Sequence, residues 1–373
     1  MMNKKKRNLW FLCAGGGDGR LPKAKVDGLL FSTMYEGKNS VTIQKTKDII
    51  AIAKPSYVLV DSGGFQAISA EKKGIAMTFD PEMPLKNTKK YFNLAPCHPV
   101  DRAMEMKADG MVALDFPIRK LRDPVEREKE FRGKLHYNVP WTIETAELRR
   151  KLCPDIDLFI PVQAYNLQQF EEFFDKIRGI DFDGFSLPIR NMSMQDIAMF
   201  LLKMHKWGVK KVHVLGSSSL PVISVCAYMA QFFDWVSFDA TSWQISARKG
   251  IFLLPDDLAS KKLYSVGSYD QNYSCHCKSC KGRTLGQFAA LQRKERMPIL
   301  MTHNFMAIQN LCKKFGETSF DVQYLEKHLA VSKRKDIKII LRCMSEIETM
   351  CSTQNYENSM TRNYHSTLLY AHI

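Results

Sequence analysis

The stretch Tyr57-Val58-Leu59-Val60-Asp61-Ser62-Gly63-Gly64-Phe65-Gln66 runs an apolar, β-branched segment straight into an acid, a hydroxyl and two glycines. The first half has the composition of a buried strand. The second half is a loop in which backbone must approach something closely. In parallel α/β folds, ligands bind at the C-terminal tips of strands. Asp61 therefore reads as an acid on the rim of a pocket, with a helix N-cap as the competing structural role.

The same arrangement recurs along the chain. Apolar runs stand at 9–13, 28–32, 57–60, 111–114, 158–162, 184–187, 211–215 and 235–238. Helical spacing separates most of them, at 43–53, 101–107, 142–152, 167–177, 194–207 and 220–233. Thr142 is the candidate N-cap of its helix, and Gly110 and Gly208 fall where helices should end. Eight strands alternating with helices predict an α/β fold, a (β/α)8 TIM barrel; fewer would predict an open doubly wound sheet. Residues 75–99 read as an irregular insertion. Gly15-Gly16-Gly17-Asp18-Gly19 lacks the spacing of a dinucleotide-binding loop and reads as a flexible one. Residues 1–250 are assigned to the barrel. Residues 251–350 form a smaller lobe, with a short β element at 251–254 and 263–266 and helices at 283–293, 302–315, 321–332 and 337–350. The polar tail 351–373 is expected to be disordered.

Composition narrows the function. The 373 residues carry 54 Lys and Arg against 39 Asp and Glu, a net charge of +15. A basic excess spread from Lys4-Lys5-Lys6-Arg7 to Lys333-Arg334-Lys335 favours a polyanionic partner, since each neutralised phosphate releases counterions. No apolar run approaches the roughly 20 residues of a membrane span. Residues 9–14 are too short and too soon followed by glycines for a signal peptide, so a cytoplasmic protein is expected. Ten cysteines in such a chain argue against a disulfide framework.

Two constellations carry chemistry. Cys275-His276-Cys277-Lys278-Ser279-Cys280, with His303 downstream, offers three thiolates and one imidazole. That is the donor set of a closed, four-ligand structural Zn²⁺ site. The other constellation is the set of polar strand tips: Asp61, Asp115, Gln163 and Asp239. Two carboxylates flanking a scissile bond are the equipment of glycosyl chemistry, one as nucleophile and the other as acid and then base. A further Asp and Gln suit the edge of a guanine-like base.

Asp-Ser-Gly-Gly-Phe-Gln at 61–66, the Phe238-Asp239 tip and Cys-x-Cys-x-x-Cys with its later His resemble the tRNA-guanine transglycosylase superfamily. The resemblance covers roughly residues 10–305. It implies a (β/α)8 barrel with a zinc subdomain, and exchange of a base on nucleic acid. By position, Asp239 would be the nucleophile and Asp61 the acid/base. Asp115 and Gln163 would hold a 7-deazaguanine, with Ser62, Gly63, Gly64, Phe65, Leu187 and Gly216 around it. Cys275, Cys277, Cys280 and His303 would hold zinc.

The chain departs from the tRNA enzymes at two places. Phe185-Ser186-Leu187-Pro188-Ile189-Arg190 replaces a Gly-Gly-Leu segment. Asp239-Ala240-Thr241-Ser242-Trp243-Gln244 replaces the usual segment after the nucleophile. The second is similar to the divergent DNA-directed branch, whose members place 7-deazaguanines, typically the 7-cyano compound, into phage or bacterial DNA. This implies DNA as partner in preference to tRNA, a host-cytoplasmic setting if the chain is viral, and modified DNA that evades restriction. Rival readings are the same exchange on tRNA and a non-catalytic nucleic-acid-binding subunit. A homodimer or accompanying proteins are compatible with each.

Overall fold

The structure is a computed structural model that describes residues 8–14, 21–34, 43–189, 192–265 and 271–353. Eight parallel strands close into a barrel. They are β1 (Leu9–Ala14), β2 (Gly28–Ser32), β3 (Tyr57–Asp61), β4 (Gly110–Val112), β5 (Asp157–Pro161), β6 (Gly184–Pro188), β7 (Lys211–Leu215) and β8 (Trp235–Ala240). Neighbours in sequence are neighbours in the sheet, and β1 pairs with both β2 and β8 to complete the ring. The expected TIM barrel is what the chain forms.

Side chains alternate along each strand, so every strand is buried twice. One face packs outward against helices; the other fills the barrel. Leu12, Ala14, Leu30, Leu59, Val112 and Phe159 make the inner cluster. Below them the bottom of the barrel is plugged. The Tyr57 hydroxyl donates to Asp157 at 2.8 Å, and Lys211 Nζ reaches Asp157 at 2.6 Å. Trp235 packs at a tilt against Tyr57, ring centroids 5.0 Å apart. Access to the interior is therefore from the opposite, C-terminal end, where Asp61 and Asp239 stand.

Seven helices separate or follow the strands: α1 (Ile43–Ala53), α2 (Gly64–Lys72), α3 (Cys97–Met106), α4 (Pro124–Leu152), α5 (Leu167–Lys176), α6 (Met194–Lys206) and α7 (Leu220–Met229). Ser193 begins α6 with a reciprocal capping box to Asp196. Gly208 takes the left-handed conformation after α6, φ +80°. The expectation for Gly110 fails. Lys107 ends α3 in the left-handed region, and Gly110 opens β4. A Cβ at Gly110 would strike the Tyr57 side chain, so a close packing approach demands this glycine.

The largest difference is α4. Its predicted start at Thr142 is wrong: the helix begins at Pro124, capped by Asp123, and passes through Pro140 without ending. The Asp123 side chain accepts from Glu126 N at 2.8 Å, a cap worth about 1 kcal/mol. The insertion at 75–99 is not irregular throughout. It holds a three-stranded sheet of Ala76–Thr78, Lys86–Asn87 and Tyr91–Asn93. The Gly15–Gly19 expectation lies outside the described residues.

After β8 come α8 (Ser242–Arg248), a hairpin of Ile251–Leu253 with Ser260–Lys262, then α9 (Leu285–Ala290) and α10 (Arg293–Gly316). The second hairpin strand ends just before the expected 263–266, where Leu263–Ser265 form a 3-10 turn instead. The first predicted segment is α9, and the 24-residue α10 carries Pro298 inside its first turns and extends the second, 302–315, back to Arg293. It packs on β1, α7 and α8. Phe305 meets Phe11 at 5.6 Å, and Lys313 pairs with Asp27 at 3.2 Å. Helices α11 (Val322–Leu329) and α12 (Ile337–Ser352) follow, so Cys351 and Ser352 belong to a helix and not to the tail. Residues 354–373 lie outside the described residues. Among the described residues, no helix is long and apolar enough to cross a membrane.

Candidate active site and metal centre

Strand β3 delivers Asp61 to the mouth. Its backbone is held from the turn after β2, where Thr33 donates to the Asp61 carbonyl through both N (2.9 Å) and Oγ1 (2.8 Å). The surrounding protein strips water from the Asp61 carboxyl, and Asp115 and Asp239 repel its charge. Together they raise its pKa to about 7, against the lowering effect of the Ser62 and Gly63 amides. Asp61 is thus poised to give and take a proton near neutrality.

Asp115 lies three residues beyond β4 and is 4% exposed. Ser62 Oγ donates to its Oδ1 at 2.5 Å, and Gln163 Nε2 donates to its Oδ2. Ile118 N donates to Gln163 Oε1 at 3.1 Å, which fixes which end of the amide faces the acid. Burial pushes the Asp115 pKa up to about 6, while the Ser62 and Gln163 hydrogen bonds oppose the shift. The Ser62 hydroxyl also accepts from Gly64 N at 3.1 Å. Ser62 is therefore a prop for Asp115. A Cβ on Gly64 would run into the Asp115 carboxyl and come within 2.8 Å of Pro117. Gly63 turns the chain at φ +87°, beneath Met34. Phe65 opens α2 with 53% of its surface exposed at the rim.

Strand β8 delivers Asp239. Its Oδ1 accepts from Gly216 N at 2.7 Å, and Gly216 reaches that position at φ +91°. The Leu187 side chain faces away from the group. It is fully buried in the layer between barrel and helices, because alternation along β6 turns Ser186 and Pro188 inward instead. Its side chain cannot line a pocket at the mouth.

Several residues that organise the site escape sequence reading. Asn138 on α4 clamps the loop after Asp115: its Oδ1 accepts from Phe116 N at 2.7 Å, and its Nδ2 donates to Phe116 O at 3.2 Å. His213, Ser186 and Ser237 sit at one level inside the barrel, all fully buried. His213 Nδ1 contacts Ser237 Oγ at 2.6 Å, and its Nε2 faces Asp239 Oδ1 at 3.5 Å. Ser186 Oγ and His213 Nε2 make no hydrogen bond, at a cost of roughly 1–3 kcal/mol for each such atom. A period-two reading back from Asp239 would have placed Ser237 on its face of the strand.

The second constellation also assembles. The sulfurs of Cys275, Cys277 and Cys280 lie 3.5, 3.6 and 3.3 Å from His303 Nδ1. All four donor atoms fall within 4.8 Å of one another. For metal–sulfur and metal–nitrogen bonds of about 2.3 and 2.0 Å, a tetrahedron sets sulfur and nitrogen about 3.5 Å apart. His303 Nε2 donates to Leu253 O at 2.8 Å, which leaves the Nδ1 lone pair for an ion. The residues fit a tetrahedral metal with no position left open. The neighbouring Asn304 ties this centre to the barrel. Its Oδ1 accepts from Leu253 N at 3.0 Å, and its Nδ2 donates to Ile251 O at 2.9 Å and Trp243 O at 3.4 Å.

Among proteins of known function, no curated one matches the chain. The sequence model of one family, queuine tRNA-ribosyltransferase (TGT), matches residues 29–318. That span holds Asp61, Asp115, Gln163, Asp239 and the whole metal centre, and it covers more than three quarters of the chain. The chain therefore belongs to the queuine tRNA-ribosyltransferase family and is a pentosyltransferase that exchanges guanine-type bases.

Proposed function

We propose that the protein replaces guanine in DNA with a 7-deazaguanine of the 7-cyano type, through a covalent glycosyl–enzyme. The observation that carries the exchange reading is the Asp61–Asp239 pair on one barrel mouth, with Asp61 held near a pKa of 7. The target nucleotide is flipped out of its helix into the mouth. An Asp239 oxygen bonds to C1′ as the C1′–N9 bond breaks. The electron pair leaves on guanine and takes the proton of the Asp61 carboxyl. The incoming base then returns its N9 proton to Asp61 and attacks C1′, expelling the Asp239 carboxylate. Two inversions give net retention.

Asp115 and Gln163 hold the base edge. An ionised Asp115 accepts from the ring and exocyclic N–H groups of a guanine-like edge. Phe65 offers a face for stacking at the rim. Cys275, Cys277, Cys280 and His303 would hold zinc in a structural role, tying the lobe together; with four protein ligands it would have no open position for a substrate oxygen.

DNA as polymer rests on the 239–244 segment and its likeness to the DNA-directed branch. The +15 charge suits either polyanion. A 7-substituent projects into the major groove at the place of a guanine N7 acceptor, so the product would escape restriction enzymes that read that edge. The tRNA reading has the activity the family is named for in its favour. Labelled 7-cyano-7-deazaguanine, incubated with the protein and either duplex DNA or bulk tRNA, separates the two. Incorporation into DNA is expected; label in tRNA alone overturns the DNA reading. An Asp239→Asn variant should lose both exchange and any denaturant-stable protein–nucleic acid adduct, and surviving exchange would overturn the nucleophile.

A further inference from the structure

We infer that His213 is a positioning residue for Asp239, fixing which carboxylate oxygen attacks. The inference rests on the nucleophile reading above. His213 stands at the centre of β7, fully buried inside the barrel. Its register partners are Ser186 on β6 and Ser237 on β8, so its ring is bracketed by hydroxyls on both sides. Ser237 grips Nδ1 at 2.6 Å. That contact sets the plane of the ring and turns Nε2 toward Asp239 Oδ1, 3.5 Å away.

The tautomer follows from the carboxylate. A lone pair on Nε2 would face the charged oxygen and be repelled, so the hydrogen sits on Nε2. Nδ1 then carries the lone pair and accepts from the Ser237 hydroxyl. Gly216 N–H hydrogen-bonds Oδ1 at 2.7 Å, and His213 Nε2–H faces the same oxygen from 3.5 Å, short of a hydrogen bond in this state. Oδ1 is held, and Oδ2 is left to attack C1′. In the second half of the exchange the carboxylate leaves and regains its charge. Both N–H groups are already aimed at Oδ1 when that happens, without reorganisation. A purely space-filling role would need neither the hydroxyl on Nδ1 nor a polar atom under the nucleophile; an apolar ring would pack this level of the barrel better.

The test compares His213→Phe, which fills the space, with His213→Gln, which restores a donor near Nε2. Ser237→Ala releases the ring while keeping it. Single-turnover adduct formation and steady-state kinetics are read with Asp239→Asn as control. His213→Phe should slow adduct formation by about 100-fold, with KM for the base changed by less than about threefold. His213→Gln should recover about tenfold of that loss, and Ser237→Ala should cost about tenfold. Adduct formation within threefold of native in His213→Phe overturns the inference, as does an equal loss in the Phe and Gln variants. If His213→Phe does not fold, Ser237→Ala decides: an unchanged adduct rate overturns the inference. Exchange surviving in Asp239→Asn defeats the underlying nucleophile reading instead, which keeps the two failures distinct.

Discussion

The amide of Gly216 lies 2.7 Å from Oδ1 of Asp239, across the gap between neighbouring strands, and only a left-handed residue puts it there. Nothing crowds a Cβ at Gly216, so Gly216→Ala tests backbone conformation alone. It should cost about 1 kcal/mol of stability, measured by urea unfolding. As the backbone relaxes, the amide turns from Asp239, and kcat should fall about tenfold or more. A variant with normal kcat would show that the contact does not orient the acid.

Asp61 gives a pH signature. Its pKa of about 7 means that guanine release, which consumes its proton, should slow about tenfold per unit as pH rises above 7. Asp61→Asn should lower the release rate by about 10²–10⁴ and flatten this dependence. The stability sign runs the opposite way to an ordinary ion pair. A carboxyl raised in the folded state binds protons more tightly there, so it favours folding below about pH 4 and progressively less up to about pH 7. Asp61→Asn should therefore unfold at higher urea than native at pH 8, by roughly 1–3 kcal/mol, with the gain vanishing toward pH 4. A gain independent of pH would refute this account.

Ser62 should act through Asp115. Removing its hydroxyl in Ser62→Ala takes away a hydrogen bond that holds the Asp115 pKa down near 6. The acid then carries its proton to higher pH, where it can no longer accept two N–H groups from a base. KM for the base should rise at pH 6–7 and return toward native near pH 9. A KM ratio that stays constant with pH would place Ser62 in direct contact with substrate instead.

Removing the metal should damage chemistry at a distance. Asn304 links the turn of helix that carries His303 to Trp243 O, four residues past Asp239. Chelation, or Cys280→Ser, should first expose the lobe after Gly250 to protease. Exchange should fall as that lobe opens, and not before. Activity lost while the lobe stays protease-resistant would mean that the metal takes part in the reaction.

The barrel was legible because its strands are buried on both faces and end on polar tips. The metal centre was legible because three cysteines within six residues have few other uses. The start of α4 was hidden because Pro140 reads as a stop, and the helix is charged on most sides. His213 was hidden for another reason. Within 211–215 it is one polar residue in an apolar run, and its meaning comes from Ser186 and Ser237, which lie on other strands. Leu187 was named by resemblance alone, which carries no information on which way its side chain faces along β6.

The chain changes character after Gly250, and a helix from beyond that point packs back on the barrel. In a (β/α)8 barrel the outer face of β1 needs a helix, and α8 has only seven residues. Helix α10 lies along β1 in its stead, with Phe305 against Phe11 and Lys313 on Asp27. A fragment ending at residue 250 would carry Asp61, Asp115 and Asp239 and still leave one stave of the barrel bare. Expressed alone, it should aggregate, and supplying the remainder in trans should be a route to recovering it.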